Sequence, residues 1–112
     1  MAIDLTGKVC LITGASEGVG HGLVQGFLNR GAHVAAGLFN SAQSAPKAAE
    51  AFTVMMDVTH PGQVESAIDQ VVARFGRIDV LINNAGIYPR CSADSITPAD
   101  WRRVLDTNLD GT

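Results

Sequence analysis

Three glycines after the first apolar segment constrain the fold of this chain more than any other feature. Residues 8–13 form a short apolar run typical of a buried strand, and the run stops at Gly14. Gly18 and Gly20 follow, and apolar residues at helical spacing begin directly after them. A glycine turn between a strand and a helix presents free N–H groups and the positive end of the helix dipole, which together bind phosphate. The pattern therefore predicts a parallel α/β fold with an anion cradle at this turn.

Each glycine of the turn has its own expected role. Gly14 lets the chain leave the strand sharply, Gly18 lets a pyrophosphate approach the backbone, and Gly20 lets the helix pack closely on the strand. Ser16 can add a hydroxyl donor. Two later glycines of the same helix, Gly22 and Gly26, are interpreted as packing residues.

Strand-like and helix-like segments alternate along the whole chain. Strands are predicted at residues 8–13, 32–38, 52–57 and 78–83. Helices are predicted at residues 18–29, from a cap at Thr59 to Gly76, from a cap at Thr97 to Leu109, and as a short helix limited by Pro46 within residues 41–50. Apolar strands separated by helices indicate an α/β, Rossmann-type, doubly wound parallel sheet, with strand order 3-2-1-4 and a ligand site at the carboxyl ends of the strands.

Composition and charge exclude several classes of protein. Of the 112 residues, 46% are hydrophobic and 17% are charged, with a net charge of −3 and no basic block. These values are typical of one folded domain and argue against a nucleic-acid or membrane partner. No signal peptide is recognised. Cys10 and Cys91 are expected to be reduced thiols, which favours a cytoplasmic protein.

The predicted sheet ends on an apolar fourth strand that no later strand of the chain can cover. An open apolar edge promotes association unless another segment pairs with it. We therefore expect residues 1–112 to be a single Rossmann domain that is incomplete at its C-terminus. The alternative is a small stand-alone domain stabilised by oligomerisation.

Four motifs in order along the chain resemble those of the short-chain dehydrogenase/reductase family. Residues 13–20 resemble its Thr-Gly-x-x-x-Gly-x-Gly motif, and residues 83–86, Asn-Asn-Ala-Gly, resemble its second hallmark. Asp57 and Val58 resemble the pair that contacts adenine, and residues 101–111 resemble the helix that carries a catalytic asparagine. The resemblance covers nearly the whole chain but only the N-terminal part of the family's fold.

The resemblance implies a set of site residues and no metal. Asn108 is the implied catalytic residue, supporting a water that links the catalytic lysine to solvent. The implied cofactor-binding residues are Gly14, Ser16, Glu17, Gly18, Val19, Gly20, Asp57, Val58, Asn84, Ala85 and Gly86. Alternatives stay open for three of these features: Asp57 as a cap of the turn after it, residues 83–86 as a purely structural motif, and Asn108 as an exposed helix residue.

The implied cofactor is NAD or NADP. Dinucleotide folds usually place an acidic residue for NAD, or an arginine for NADP, at the end of the second strand, where this chain has Leu38 and Phe39. Asn40 or Ser41 can still bond either ribose. The charge of Glu17 would repel a 2′-phosphate, which favours NAD.

The implied reaction is hydride transfer between nicotinamide and a carbonyl or alcohol of a small-molecule substrate. The family's tyrosine, lysine and serine are not recognised here, because Tyr88 has no lysine four residues later. We expect the chain alone to bind dinucleotide poorly and to catalyse nothing. Residues 87–96 are expected to line one side of the cleft, and the family favours dimers or tetramers. The alternative is a catalytically inactive dinucleotide-binding module or fragment.

Overall fold

Four parallel strands form the sheet in this computed structural model, which describes residues 3–40 and 50–112. The strands are β1 (Val9–Ile12), β2 (His33–Leu38), β3 (Phe52–Met55) and β4 (Val80–Ile82). Their order is β3-β2-β1-β4, which confirms the predicted order. The predicted short helix within residues 41–50, and with it Ser41, lies outside the described residues except for Glu50.

Helices cover both faces of the sheet. Successive side chains of β1 point in opposite directions, so they pack in two different core clusters. Cys10 and Ile12 lie in one core cluster with Val24 of helix α1 (Gly18–Asn29). Val9 and Leu11 lie in a second cluster with residues of helix α2 (Pro61–Phe75). The fold is therefore a doubly wound Rossmann-type sheet. Cys10 is fully buried, and burial raises the pKa of its thiol to about 11.

The helix boundaries follow local capping signals with two exceptions. Helix α3 (Pro98–Leu105) begins at the predicted Thr97, which forms a capping box with Asp100. The prediction of Thr59 as the cap of α2 is wrong: the N-cap is His60, and the Thr59 hydroxyl donates to Asp57 instead. The prediction of one helix from Thr97 to Leu109 is also wrong, because a π-helical segment (Asp106–Asp110) follows α3.

The interpretation of Gly22 and Gly26 as packing residues is wrong. Both are exposed, and a Cβ built on either meets no atom within 4 Å. Helical spacing placed them away from the apolar face of α1, and that face is occupied by Val24 and its neighbours.

The edge of β4 away from β1 is unpaired among the described residues. Leu81 at this edge is 54% exposed. Helix α3 and the π-helical segment contain no buried residue. Trp101 of α3 is 59% exposed, and Leu109 of the π-helical segment is 66% exposed. Within residues 3–40 and 50–112, no helix is long and apolar enough to cross a membrane.

Asp79 joins the start of β1 to the segment before β4. Its Oδ2 accepts a hydrogen bond of 2.8 Å from the Val9 N–H and one of 3.0 Å from Arg77 Nε. The Asp79 N–H donates to the Val9 carbonyl in return. The bond from Val9 lowers the pKa of Asp79 most; partial burial opposes the shift, and the Arg77 charge adds to it.

We expect Asp79→Asn to lower the denaturant midpoint of unfolding at neutral pH. In acid, the difference between the midpoints of the variant and the wild type should become smaller. A carboxyl with a lowered folded-state pKa contributes stability above its unfolded pKa of roughly 3.9, and that stability is lost as the pH falls through the folded value. Urea titrations between pH 7 and pH 3 measure this convergence. Asp69→Asn, at an exposed position of α2, is the control; an Asp79→Asn gap that is constant with pH would contradict the assignment.

Candidate functional site

The glycine turn lies at the carboxyl end of β1 and packs against the segment after β4. Gly14 has a φ of 61°, in the left-handed region that favours glycine. A Cβ on Gly14 would lie 2.8 Å from the Ala85 Cα, so the turn and the Ala85 backbone are in close contact. The Ala15 N–H donates to the Gly37 carbonyl at the end of β2. These contacts fix the turn between β2 and the segment after β4, the two elements that flank β1.

Gly18 and Gly20 differ in what surrounds them. Gly18 has a φ of 57°, and a Cβ there meets nothing within 4 Å, so its backbone is open to an approaching group. Gly20 is buried, and a Cβ there would collide with the Gly14 carbonyl oxygen and lie 2.6 Å from Asn84 Nδ2. Glu17 is the N-cap of α1 and makes no side-chain cap bond, so the first N–H groups of this helix receive no side-chain acceptor from it.

Asn84 connects the end of β4 to the glycine turn. Its Nδ2 donates to the Thr13 and Gly14 carbonyls at 3.1 and 3.0 Å. Its N–H and that of Ala85 both donate to Thr13 Oγ1. The amide therefore bridges the ends of β4 and β1, and it supports the backbone of the glycine turn.

Asp57, two residues after β3, is a buried residue whose carboxylate has local partners. Its Oδ1 accepts from the Thr59 N–H at 2.9 Å and the Thr59 hydroxyl at 2.7 Å, and its Oδ2 lies 2.9 Å from His60 Nδ1. Burial acts to raise the pKa of Asp57, but these hydrogen bonds and the His60 charge outweigh it, so the pKa lies below the usual value. Asp57 thus caps the following turn, and it also lines the cleft described below.

Asn108 lies in the π-helical segment and pairs with the backbone of Ile87. Its Oδ1 accepts from the Ile87 N–H at 2.8 Å, and its Nδ2 donates to the Ile87 carbonyl at 3.0 Å. A Cβ on Gly111, just after this segment, would lie 2.6 Å from Val58 Cγ2. The π-helical segment is therefore held against both the loop after β4 and the segment after β3.

One cleft of about 1000 Å³ lies where these segments meet, at the upper end of the range for ligand pockets. Among the sequence-predicted site residues, Gly18 and Asn108 do not line it, and Asn108 acts on its wall through Ile87. Those that line it are Gly14, Ser16, Glu17, Val19, Gly20, Asp57, Val58, Asn84, Ala85 and Gly86.

The prediction that residues 87–96 line one side of the cleft was partly wrong. From the predicted segment 87–96, only Ile87, Tyr88 and Pro89 line the cleft. Helix α3 and the π-helical segment form the rest of this side of the cleft. Their contribution was not predicted from the sequence. The residues of these two segments that line the cleft recur at helical spacing, which is the sequence signal that could have indicated them. They are Ala99, Arg102, Arg103, Asp106 and Thr107.

The cleft joins features that suit a dinucleotide. Backbone N–H groups and the N-terminus of α1 lie at the glycine turn, and apolar Phe39, Met56 and Val58 lie with the acceptor Asp57 on the β3 side. A phosphate binds the first kind of surface and an adenine the second. No group of three possible metal ligands occurs in residues 3–40 and 50–112.

A parallel sheet in the order β3-β2-β1-β4, with a glycine turn entering α1, defines a dinucleotide-binding class of α/β protein. Residues 8–112 match the sequence model of the short chain dehydrogenase family. The chain therefore belongs to the short-chain dehydrogenase family, whose members are NAD(P)-dependent oxidoreductases acting on small molecules.

Curated relatives match almost all of this chain but less than half of their own length. The chain is 39% identical over 111 residues to galactitol 2-dehydrogenase of Agrobacterium fabrum, covering 96% of this chain and 43% of the relative. It is 37% identical over 116 residues to 3-oxoacyl-[acyl-carrier-protein] reductase of Thermotoga maritima, covering 96% of this chain and 46% of the relative.

Solved structures give the same relation. The 3-ketoacyl-(acyl-carrier-protein) reductase of Brucella melitensis, complexed with NADH, superposes with a TM-score of 0.87 at 33% identity, covering 96% of this chain and 47% of that one. The ligand-free aldohexose dehydrogenase of Thermoplasma acidophilum gives a TM-score of 0.84 at 36% identity, covering 96% of this chain and 40% of that one.

Proposed function

We propose that this chain is the cofactor-binding half of an NAD(P)-dependent short-chain dehydrogenase that transfers hydride between nicotinamide and a carbonyl or alcohol carbon. The observation that carries the proposal is the cleft, which is lined by Gly14 and Gly20 of the glycine turn together with Asp57 and Asn84. In this proposal the pyrophosphate lies in the cleft at the N-terminus of α1, beside Ser16 and Val19, and Asp57 accepts a hydrogen bond from the adenine amino group.

The residues of this chain orient the cofactor and shape its pocket. Asn84 fixes the turn that carries the phosphates, and Val58 and Phe39 supply apolar walls for adenosine. Asn108 holds Ile87 beside the cleft. The bound cofactor supplies the hydride chemistry. A tyrosine, a lysine and a serine of the family type would complete the acid–base chemistry from residues outside these 112, since Ser92, not a lysine, lies four residues after Tyr88.

The alternative function is a dinucleotide-binding module without catalysis. The absence of a Tyr-x-x-x-Lys pair among the 112 residues favours it for the chain tested alone. Carbonyl reduction with NADH by the purified chain would exclude it. Cytoplasmic location and a dimeric or tetrameric form belong to the same proposal; the free thiols of Cys10 and Cys91 support the first.

We expect NADH to bind more tightly than NADPH, by roughly fivefold at low ionic strength. Glu17 lines the cleft, and its carboxylate repels the additional 2′-phosphate of NADPH through partly screened solvent. Titrating both dinucleotides against the purified chain by nucleotide fluorescence measures the ratio. Because Glu17→Gln removes the charge and keeps the shape, it should bring the two affinities together.

Two results would count against these proposals. Equal affinities in the wild type, unchanged by Glu17→Gln, would overturn the preference for NAD. Binding of neither dinucleotide at millimolar concentration, by a chain that circular dichroism shows to be folded, would overturn the proposed function itself.

A further inference from the structure

A histidine outside the family motifs holds the carboxylate of Asp57. His60 Nδ1 lies 2.9 Å from Asp57 Oδ2 and 3.1 Å from Thr59 Oγ1. The Asp57 side chain is 12% exposed and that of His60 is 64% exposed, so a nearly buried carboxylate is paired with an exposed histidine. His60 does not line the cleft and can act on it only through Asp57.

Counting protons fixes the direction of these hydrogen bonds. The single hydroxyl proton of Thr59 is donated to Asp57 Oδ1, so Thr59 Oγ1 can only accept from His60. Asp57 is ionised and can also only accept. His60 Nδ1 therefore carries a proton and donates to both oxygens.

The side chain of His60 pairs with the carboxylate of Asp57 and not with the helix that His60 precedes. His60 is the N-cap of α2, yet its side chain makes no cap bond to the helix. The Gln63 side chain instead reaches back and accepts from the Asp57 N–H at 2.9 Å. The turn thus binds Asp57 through its backbone on one side and through its carboxylate on the other.

These hydrogen bonds leave the Asp57 carboxylate with one lone-pair site that is still free to accept a hydrogen bond. A carboxylate offers about four lone-pair sites, and Thr59 and His60 occupy three of them. Thr59 contacts only Oδ1, so His60 is what restrains Oδ2 in the described part of the chain.

We propose that His60 is a positioning residue for adenine: its Nδ1–H orients the Asp57 carboxylate so that the remaining acceptor faces the adenine amino group. This inference rests on the proposed function, because it assumes that Asp57 binds adenine. The inference assigns to His60 an effect on specificity for the adenine base rather than on affinity for phosphate.

The test compares NADH with its hypoxanthine analogue, deamino-NADH, which carries an oxygen in place of the amino group. Dissociation constants for both are measured by nucleotide fluorescence with the wild-type chain, His60→Ala and His60→Asn. The asparagine variant places an amide donor near the position of Nδ1. His33→Ala, at the amino end of β2 and away from the cleft, is the control.

We expect the wild type to prefer NADH by roughly tenfold, the effect of one hydrogen bond to a charged acceptor. His60→Ala should reduce the preference to within about twofold, whereas His60→Asn and His33→Ala should retain most of it. A purely structural role would weaken both dinucleotides equally and leave the ratio unchanged.

The outcomes separate this inference from the function on which it rests. A tenfold preference that survives in His60→Ala, or a loss that His60→Asn does not restore, would overturn the role of His60 and leave the proposed function standing. A folded wild type that binds neither dinucleotide would overturn both.

Discussion

Gly20→Ala should lower the free energy of unfolding by about 3 kcal/mol and abolish dinucleotide binding. The added Cβ meets the Gly14 carbonyl oxygen and lies 2.9 Å from the Ala15 Cα and 2.6 Å from Asn84 Nδ2. Forcing a methyl group into a packed site costs about 1–3 kcal/mol, and the upper end applies because two of the three atoms belong to the backbone. The helix must move away from the turn, which separates its N-terminus from the phosphate position. Urea unfolding and NADH titration measure the two effects.

Gly22→Ala is the matched control because it adds the same methyl group to the same helix. A Cβ at Gly22 meets no atom within 4 Å, and the position is exposed. An alanine in an exposed helix is more favourable than a glycine by up to about 1 kcal/mol, so this variant should be neutral or more stable. Equal losses in both variants would show that the contact with the turn does not govern the result.

Asn84→Asp should destabilise the fold by about 3 kcal/mol at pH 7 and recover in part in acid. The change keeps the shape of the side chain but removes the two N–H donors that bind the Thr13 and Gly14 carbonyls. Unsatisfied buried acceptors cost about 1–3 kcal/mol, and the new carboxylate also repels the two carbonyl oxygens.

This repulsion raises the folded-state pKa of the introduced carboxyl above its unfolded value of roughly 3.9. The penalty is therefore full at neutral pH and shrinks as the pH falls through the raised pKa, because the protonated carboxyl regains one donor. Unfolding midpoints of the variant and the wild type between pH 7 and pH 3.5 should converge. A penalty independent of pH would show that the carboxylate has moved away from the turn.

Asn83→Asp is the control for charge alone. Asn83 is adjacent and exposed, and no hydrogen bond of its side chain is found in residues 3–40 and 50–112. An exposed substitution of this kind changes the free energy of unfolding by less than about 0.5 kcal/mol. A loss comparable to that of Asn84→Asp would refute the assignment of the bridge to Asn84.

The two neighbouring asparagines show how far the sequence reached. The family resemblance named Asn84 and not Asn83 among the cofactor-binding residues, but the sequence did not show which backbone carbonyls the Asn84 amide binds. Only Asn84 bonds the turn, across 70 residues of sequence from Gly14. Similarly, the spacing of glycines in α1 did not distinguish Gly20, which touches the turn, from Gly22, which faces open space.

The sequence by itself determined the strand–helix alternation, the glycine turn into α1 and the capping box at Thr97, because each depends on residues a few positions apart. Tertiary structure decided which carbonyls Asn84 binds, that helix α3 forms a wall of the cleft, and that the π-helical segment presents Asn108 to Ile87. These contacts join segments distant in the chain. Their geometry depends on how the elements pack, which no local pattern specifies.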